Sequence, residues 1–256
     1  MRALGPGLVA LLTVAALPAC AADAETPATC REVRFDGAPF VVCEAPRDAD
    51  IALVLYGKDG APLRTLDAAI GAAGGGIRMA MNAGMYHADR APVGLYVERG
   101  EEAAPIVLRE GPGNFGLLPN GVFWSDGERV HVTESRAYAE SEHTPDFATQ
   151  SGPMLVIDGA LHPRFMADSE SRKRRNGVGV SDTSVHFAIS DAPVNFHHFA
   201  RLFRDELGAT DALFFDGSVS RIVAPETGRA ERGGPFGPIV VLMVPPAEEA
   251  KAEGSR

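Results

Sequence analysis

Apolar positions fall in short runs separated by Gly, Asp and Pro, and most runs have the length and β-branched content of strands. Ile51 to Tyr56, Ile77 to Met81, Met154 to Ile157, Asp211 to Phe215 and Ile239 to Val244 read as buried strands. Paired runs predict hairpins. These are Val93–Glu98 with Pro105–Leu108 across Arg99–Glu102, Val122–Trp124 with Arg129–Thr133 at Asp126-Gly127, and Val178–Val180 with Val185–Ile189. Two segments carry helical spacing. Pro62 to Ala73 sets Leu63, Leu66 and Ile70 on one face and stops at Gly74-Gly75-Gly76. Phe196 to Leu207 lines up Phe199, Leu202, Phe203 and Leu207, with Asn195 as N-cap and Gly208 as stop. No repeat or linker divides the chain. The order of elements predicts one α+β domain over 28–245, a largely antiparallel or mixed sheet with a few covering helices.

The ends read differently. Arg2 precedes the apolar run Leu8–Leu17, whose ten residues are too few to cross about 30 Å of hydrocarbon but suit a signal peptide over 1–20. Two cleavage readings stand: a lipoprotein box with Cys20 lipidated, or ordinary cleavage after Ala19-Cys20-Ala21. Either way the expected location is the periplasm or the outer-membrane or cell surface, with membrane contact only through a lipid. Residues 246–256 form a charged, Ala-rich tail expected to be disordered.

Of three cysteines, Cys30 and Cys43 flank two apolar-rich runs joined at Asp36-Gly37. A hairpin would set them opposite each other, and an oxidising compartment would let them bond. The alternative is two unpaired, buried thiols.

Composition narrows the function. With 24 Lys plus Arg against 34 Asp plus Glu, the net charge of −10 argues against nucleic acid as partner. Gly111-Pro112-Gly113-Asn114-Phe115-Gly116 spells GxGxxG, but Pro119, Asn120 and Gly121 stand where a helix should begin, so no dinucleotide site is expected. There is no GxSxG elbow, no phosphate-cradling GxxxxGK and no zinc spacing among the seven histidines.

What is left is a set of polar positions at strand ends. Asn82-Ala83-Gly84 follows a buried strand, and its amide could hold a sugar hydroxyl or organise the loop. Thr149-Gln150-Ser151-Gly152-Pro153 reads as a polar loop entering another strand. In Ser171–Gly177, four successive cations interrupt an acidic chain. Arg172 and Lys173 fit a solvated loop, whereas Arg174 and especially Arg175, beside a strand, suit an anion. Five Asp-Gly pairs occur, at Asp36, Asp59, Asp126, Asp158 and Asp216, and a turn is the default for each. Asp216 differs by ending a wholly apolar strand and being followed by Gly217, Ser218 and Ser220. Asp191 ends another apolar stretch.

Asn82-Ala83-Gly84-Met85-Tyr86, Ser151-Gly152-Pro153-Met154-Leu155, Arg175-Asn176-Gly177-Val178-Gly179-Val180 and Phe215-Asp216-Gly217-Ser218-Val219-Ser220, in that order, resemble the motifs of the phosphodiester glycosidase domain family. The resemblance spans about Cys30 to Val244. It implies an exported hydrolase that cleaves a sugar-1-phosphate diester in envelope or environmental glycans. Asp216 would be base or transition-state stabiliser, Arg175 the phosphate holder, and Asp191 a second carboxylate. Asn82, Gly84, Ser151, Gly152, Arg174, Gly217, Ser218 and Ser220 would line the substrate. No cofactor is required; Ca²⁺ or Mg²⁺ beside Asp216 would suit its oxygens. Family members often carry a glycine-richer stretch after the aspartate; here Val219 and a single Gly217 stand. The alternative reading is a non-catalytic phosphoglycan-binding envelope protein, or an envelope lipoprotein whose loops are only turns.

Overall fold

The computed structural model describes residues 28–244. The leader with Cys20 and the tail lie outside the described residues. Three antiparallel sheets pack around one apolar centre. The first runs, in spatial order, Thr29–Phe35, Ala38–Pro46, Ser184–Ser190, Asn176–Val180, Asp211–Asp216, Met154–Ile157 and Ala160–Leu161. The second is Arg229–Ala230, Ile222–Ala224, Ile77–Asn82, Ile239–Met243 and Ile51–Val54. The third is Glu101–Ala104, Tyr96–Glu98, Phe147–Ser151, Gly121–Ser125 and Val130–Glu134. The largely antiparallel sheet with few helices is as the sequence predicts, but the class is mostly β rather than α+β, and every strand pair among the described residues is antiparallel.

Each sheet turns one face to the shared centre and has its other face covered by a helix. Val41, Cys43, Met81, Phe123, Phe187 and Phe215 meet in the centre. Phe40, Val42 and Phe214, on the reverse of the first sheet, pack against Phe199 and Phe203 of the long helix. Leu66 and Ala69 cover the second sheet, and Tyr138 of a short helix, Ser135–Ala139, covers the third. Double coverage explains why antiparallel strands here read as continuous apolar runs and not as an alternation.

Several boundaries move for identifiable reasons. The first helix begins at Leu66 because Thr65 caps it, its hydroxyl accepting from Ala68 N, while Pro62 bridges Tyr56. The second runs as α-helix over Phe196–Arg201 and closes in a wider π-turn, Leu202–Glu206, with Asn195 capping its start. Tyr96–Glu98 pairs with Glu101–Ala104, not with Pro105–Leu108, because Arg99 and Gly100 both take positive φ (53° and 78°) in a two-residue turn. Thr149–Ser151 is no loop. It completes the buried strand Phe147–Ser151, with Thr149, Gln150 and Ser151 at most 1% exposed.

Cys30 and Cys43 lie opposite each other in the first hairpin and are joined by a disulfide, 13 residues apart. Asp36 and Gly37 make its turn, both with positive φ (44° and 81°). Closing a loop of this size restricts the unfolded chain by about 3 kcal/mol. Cys30→Ala/Cys43→Ala is expected to lose that amount in urea unfolding. An unchanged midpoint would show that strand pairing alone holds this edge.

Candidate functional site

Strand ends from all three sheets converge on one point. Asn82 closes Ile77–Asn82, Ser151 closes Phe147–Ser151, Asn176 opens Asn176–Val180 and Asp216 closes Asp211–Asp216. Asn82, Ser151 and Asn176 are fully buried. A bulge precedes Asp216: Gly177 pairs with Phe214 and Asn176 with Asp216, so the strand gains one residue and its last side chain is re-aimed.

The re-aimed carboxylate is tightly held. Asn82 Nδ2 donates to Asp216 Oδ2 at 2.9 Å, and Gly217 N donates to Oδ1 at 2.6 Å. Asn82 is itself fixed: its Oδ1 accepts from Arg221 N (2.9 Å), and its carbonyl accepts from Asn176 Nδ2 (2.7 Å). Asn176 Oδ1 accepts from Asp216 N at 2.8 Å. Two buried amides thus lock the acid from both sides. The sequence offers Asn82 either to a sugar hydroxyl or to organising its loop, and it does not single out Asn176. Here both amides are spent on orienting Asp216. The signal for Asn176 was its place at the mouth of a strand within the same motif as Arg175.

Asp216 lines a cavity of about 420 Å³ with Met85, Tyr86, Val93, Asn114, Phe115 and Val219. The Gly111–Gly116 segment, set aside as a dinucleotide motif, supplies one wall. Gln150 holds the chain leading into that wall, its Oε1 accepting from Leu95 N and Val107 N and its Nε2 donating to Val107 O. That clamp replaces the ladder predicted at Pro105–Leu108.

Burial raises Asp216 to about 6; the Gly217 and Asn82 donors pull it down but do not cancel the desolvation. Burial first, and the Asp216 charge second, push the Tyr86 phenol up, while Arg90 pulls it down. For Asp216 the folded pKa lies above the unfolded one. Its contribution to stability is therefore full below about pH 4 and is lost as pH rises through about 6. The separation, about two units at about 1.4 kcal/mol each, gives a loss on the order of 3 kcal/mol. Relative to Asp216→Asn, wild-type melting temperature should fall between pH 4 and 7. Parallel curves would show that the carboxyl is not desolvated.

The structure does not bring the other charged candidates into the cavity lining. Arg175 is 1% exposed. Its Nε donates to Val194 O and its Nη2 to Ser171 O, both at 2.9 Å, with the guanidinium 3.6 Å from the Phe196 ring centroid. Burial lowers it to about 10, so it stays protonated. Its side chain shares the helix-covered face with Gly177 and Gly179, while Asn176 goes with Val178 and Val180 to the other. Asp191 is engaged by Arg229 (2.5 Å) and Arg174 (3.4 Å), and Arg174 is paired with Glu231 (2.6 Å).

The small residues divide. Gly84 takes φ 84°, and a Cβ there would lie 2.5 Å from Thr149 Oγ1; a Cβ at Gly152 would lie 2.6 Å from Asn120 Cβ. Ser151 Oγ donates to Phe215 O at 3.2 Å. These three build the wall behind the site. Ser220 Oγ donates to Gly217 O at 2.6 Å and shapes the turn, Ser218 is exposed, and Gly217 has neither positive φ nor a crowded Cβ. Among the described residues no group of three His, Cys, Asp or Glu could hold a metal ion. Asp216's oxygens each accept one N–H, from Asn82 and from Gly217.

Comparison with known proteins adds a lineage to this geometry. The phosphodiester glycosidase family model matches residues 75–232, which include Asn82, Asn176 and Asp216. Uncharacterized protein YigE of Escherichia coli is 38% identical over 149 residues, 58% of each chain, so the match spans under two thirds of that relative. The zebrafish N-acetylglucosamine-1-phosphodiester alpha-N-acetylglucosaminidase catalytic domain, auto-inhibited by its pro-peptide, superposes with a TM-score of 0.57 at 12% identity, covering 85% of this chain and 82% of that one. A hypothetical protein from Synechocystis gives 0.52 at 13% identity, covering 84% and 61%. At these identities the two structures show a shared fold.

Proposed function

The chain belongs to the phosphodiester glycosidase family, and from that premise we propose that it hydrolyses the bond between a sugar's anomeric carbon and a phosphodiester, with Asp216 at the reacting centre. The observation that carries this reading is Asp216 itself: desolvated to about 6, oriented by two amides and open to a cavity. A carboxyl near 6 is mostly ionised at neutral pH yet basic enough to take a proton. In the proposed step, water attacks the anomeric carbon and gives a proton to Asp216. The C–O bond breaks with its electron pair going to the phosphate oxygen. Sugar and phosphomonoester leave.

One carboxylate suffices for this chemistry. Ordinary glycosidases set two across the bond, one of them to protonate a poor leaving group. A phosphate departs as a stable anion without that help. Asp191, tied to Arg174 and Arg229, is not needed as an acid. The residues at hand do not call for a metal, and no step is routed through one.

The substrate class we propose is an N-acetylglucosamine-1-phosphodiester or a related phosphorylated envelope glycan, met outside the cytoplasm. The apolar run Leu8–Leu17 and the disulfide support export, with Cys20 as a lipid anchor in one reading of the leader. The test is incubation of the mature chain with N-acetylglucosamine-1-phosphodiester, followed by assay of free sugar. Binding without release would move the protein to the non-catalytic phosphoglycan-binding class, and neither would discard both readings.

A further inference from the structure

An anionic substrate entering an acidic chain needs a local cation, above all beside a carboxylate. Arg175 is turned away, and Arg174 and Arg229 are occupied by carboxylates. Arg221 sits next to Asn82 through its backbone, but its Nη1 is folded onto its own turn, donating to Ser220 O at 2.8 Å. Arg90 stands apart from these. It carries no ion pair among the described residues, and its buried Nε has no hydrogen-bond partner, so its guanidinium is incompletely satisfied by the folded chain. It lies over the ring of Tyr86, 5.2 Å from the centroid, and Tyr86 lines the Asp216 cavity.

The loop that carries both residues is built to hold them. Arg90 takes φ 83°, a left-handed conformation that costs a side-chain-bearing residue about 1–3 kcal/mol. Three bonds maintain it: His87 N to Ala91 O (2.8 Å), Arg90 N to His87 O (2.9 Å) and Ala91 N to Asp89 Oδ1 (3.0 Å). The last occupies the adjacent carboxylate with a backbone group. Tyr86 is seated against Gly237, where a Cβ would lie 2.5 Å from the Tyr86 Cβ and Cγ. Its ring is therefore fixed between a bare backbone and a guanidinium.

We infer that Arg90 and the Tyr86 phenol bind the substrate's phosphate at the mouth of the Asp216 cavity. This rests on the hydrolase reading for the substrate's identity, but not for the binding itself. Asp216 addresses the sugar carbon, and Arg90 takes the departing anion, whose charge grows as the bond breaks. The pair also discriminates: a glycoside with a neutral aglycone would gain nothing from Arg90.

Binding of N-acetylglucosamine-1-phosphate and of free N-acetylglucosamine, measured by calorimetry, tests this without turnover. A charge-assisted hydrogen bond contributes about 1.5–3 kcal/mol, so Arg90→Gln should weaken the sugar phosphate about 10- to 100-fold and leave the free sugar unchanged. Arg90→Lys should recover part of the loss, since it restores charge without the planar fork, and Tyr86→Phe should weaken the phosphate a few-fold. Equal binding of the sugar phosphate by wild type and Arg90→Gln, no binding by wild type, or a loss confined to Arg221→Gln would each overturn the assignment. The two readings fail separately. Arg90-dependent binding with no sugar release removes the hydrolase and keeps the phosphate site; release of sugar with an unchanged KM in Arg90→Gln does the reverse.

Discussion

Asp216→Asn is expected to lower the rate of sugar release from a sugar-1-phosphodiester by about 10²- to 10⁴-fold, the usual worth of a positioned acid–base group. The amide is the same size but cannot accept the proton of the attacking water. It also disturbs the cradle. Asn82 Nδ2 and Gly217 N donate to different oxygens of the carboxylate, and an amide offers only one acceptor. Asn82 cannot turn over to compensate, because its Oδ1 holds Arg221 N. The loss should appear in kcat. Binding of the anionic substrate should hold or tighten, since a negative charge has left the cavity. Wild-type kcat/KM should rise about tenfold per pH unit up to about 6 and then level, while the variant's residual rate stays flat. A variant retaining more than a tenth of the wild-type rate would remove Asp216 from the reacting centre.

The second large effect is on folding. Asn176→Ala strips the partner from two main-chain groups at once, the Asp216 N–H and the Asn82 carbonyl. Asn176 is fully buried, so neither group readily regains water. An orphaned buried polar group costs about 1–3 kcal/mol, which puts the expected loss in urea unfolding at about 2–6 kcal/mol. A domain of this size loses about 2–4 °C of melting temperature per kcal/mol. Sugar release should fall as well, because the end of the Asp216 strand and the Asn82 amide are then tied less firmly. A stability within about 0.5 kcal/mol of wild type would mean that solvent reaches this seam and the amide lock is unimportant.

The contrast between neighbours in one motif shows where sequence reading stops. Arg175 stood out because four cations in an acidic chain are unusual, and a guanidinium suits phosphate. Successive residues of an extended strand face opposite ways, so Arg175 and Asn176 cannot serve the same surface. Which of them meets the site depends on which sheet face carries the helix, and that is set by packing. Here Phe199 and Phe203 lie over the glycine side. The quieter amide faces Asp216. Asp216 itself was legible, because among the Asp-Gly pairs it ended an apolar strand. Asp36 and Asp158 are turn residues with positive φ, as composition alone suggests.

Local chemistry along the chain determined the strands, the Asp36-Gly37 hairpin with its cysteines in register, the Asn195 cap, the family motifs and Asp216 as the residue to watch. Those depend on neighbours a few positions apart, where side-chain period and turn preference decide. Three-sheet closure decided the rest: Asn82, Asn176 and Asp216, separated by 94 and 40 positions, meet only because three strand ends share one seam. The desolvation that lifts Asp216, the clamp Gln150 places on the cavity wall and the inward fate of Arg175 are likewise products of that closure. Burial is a property of the assembled sheets and belongs to no single segment.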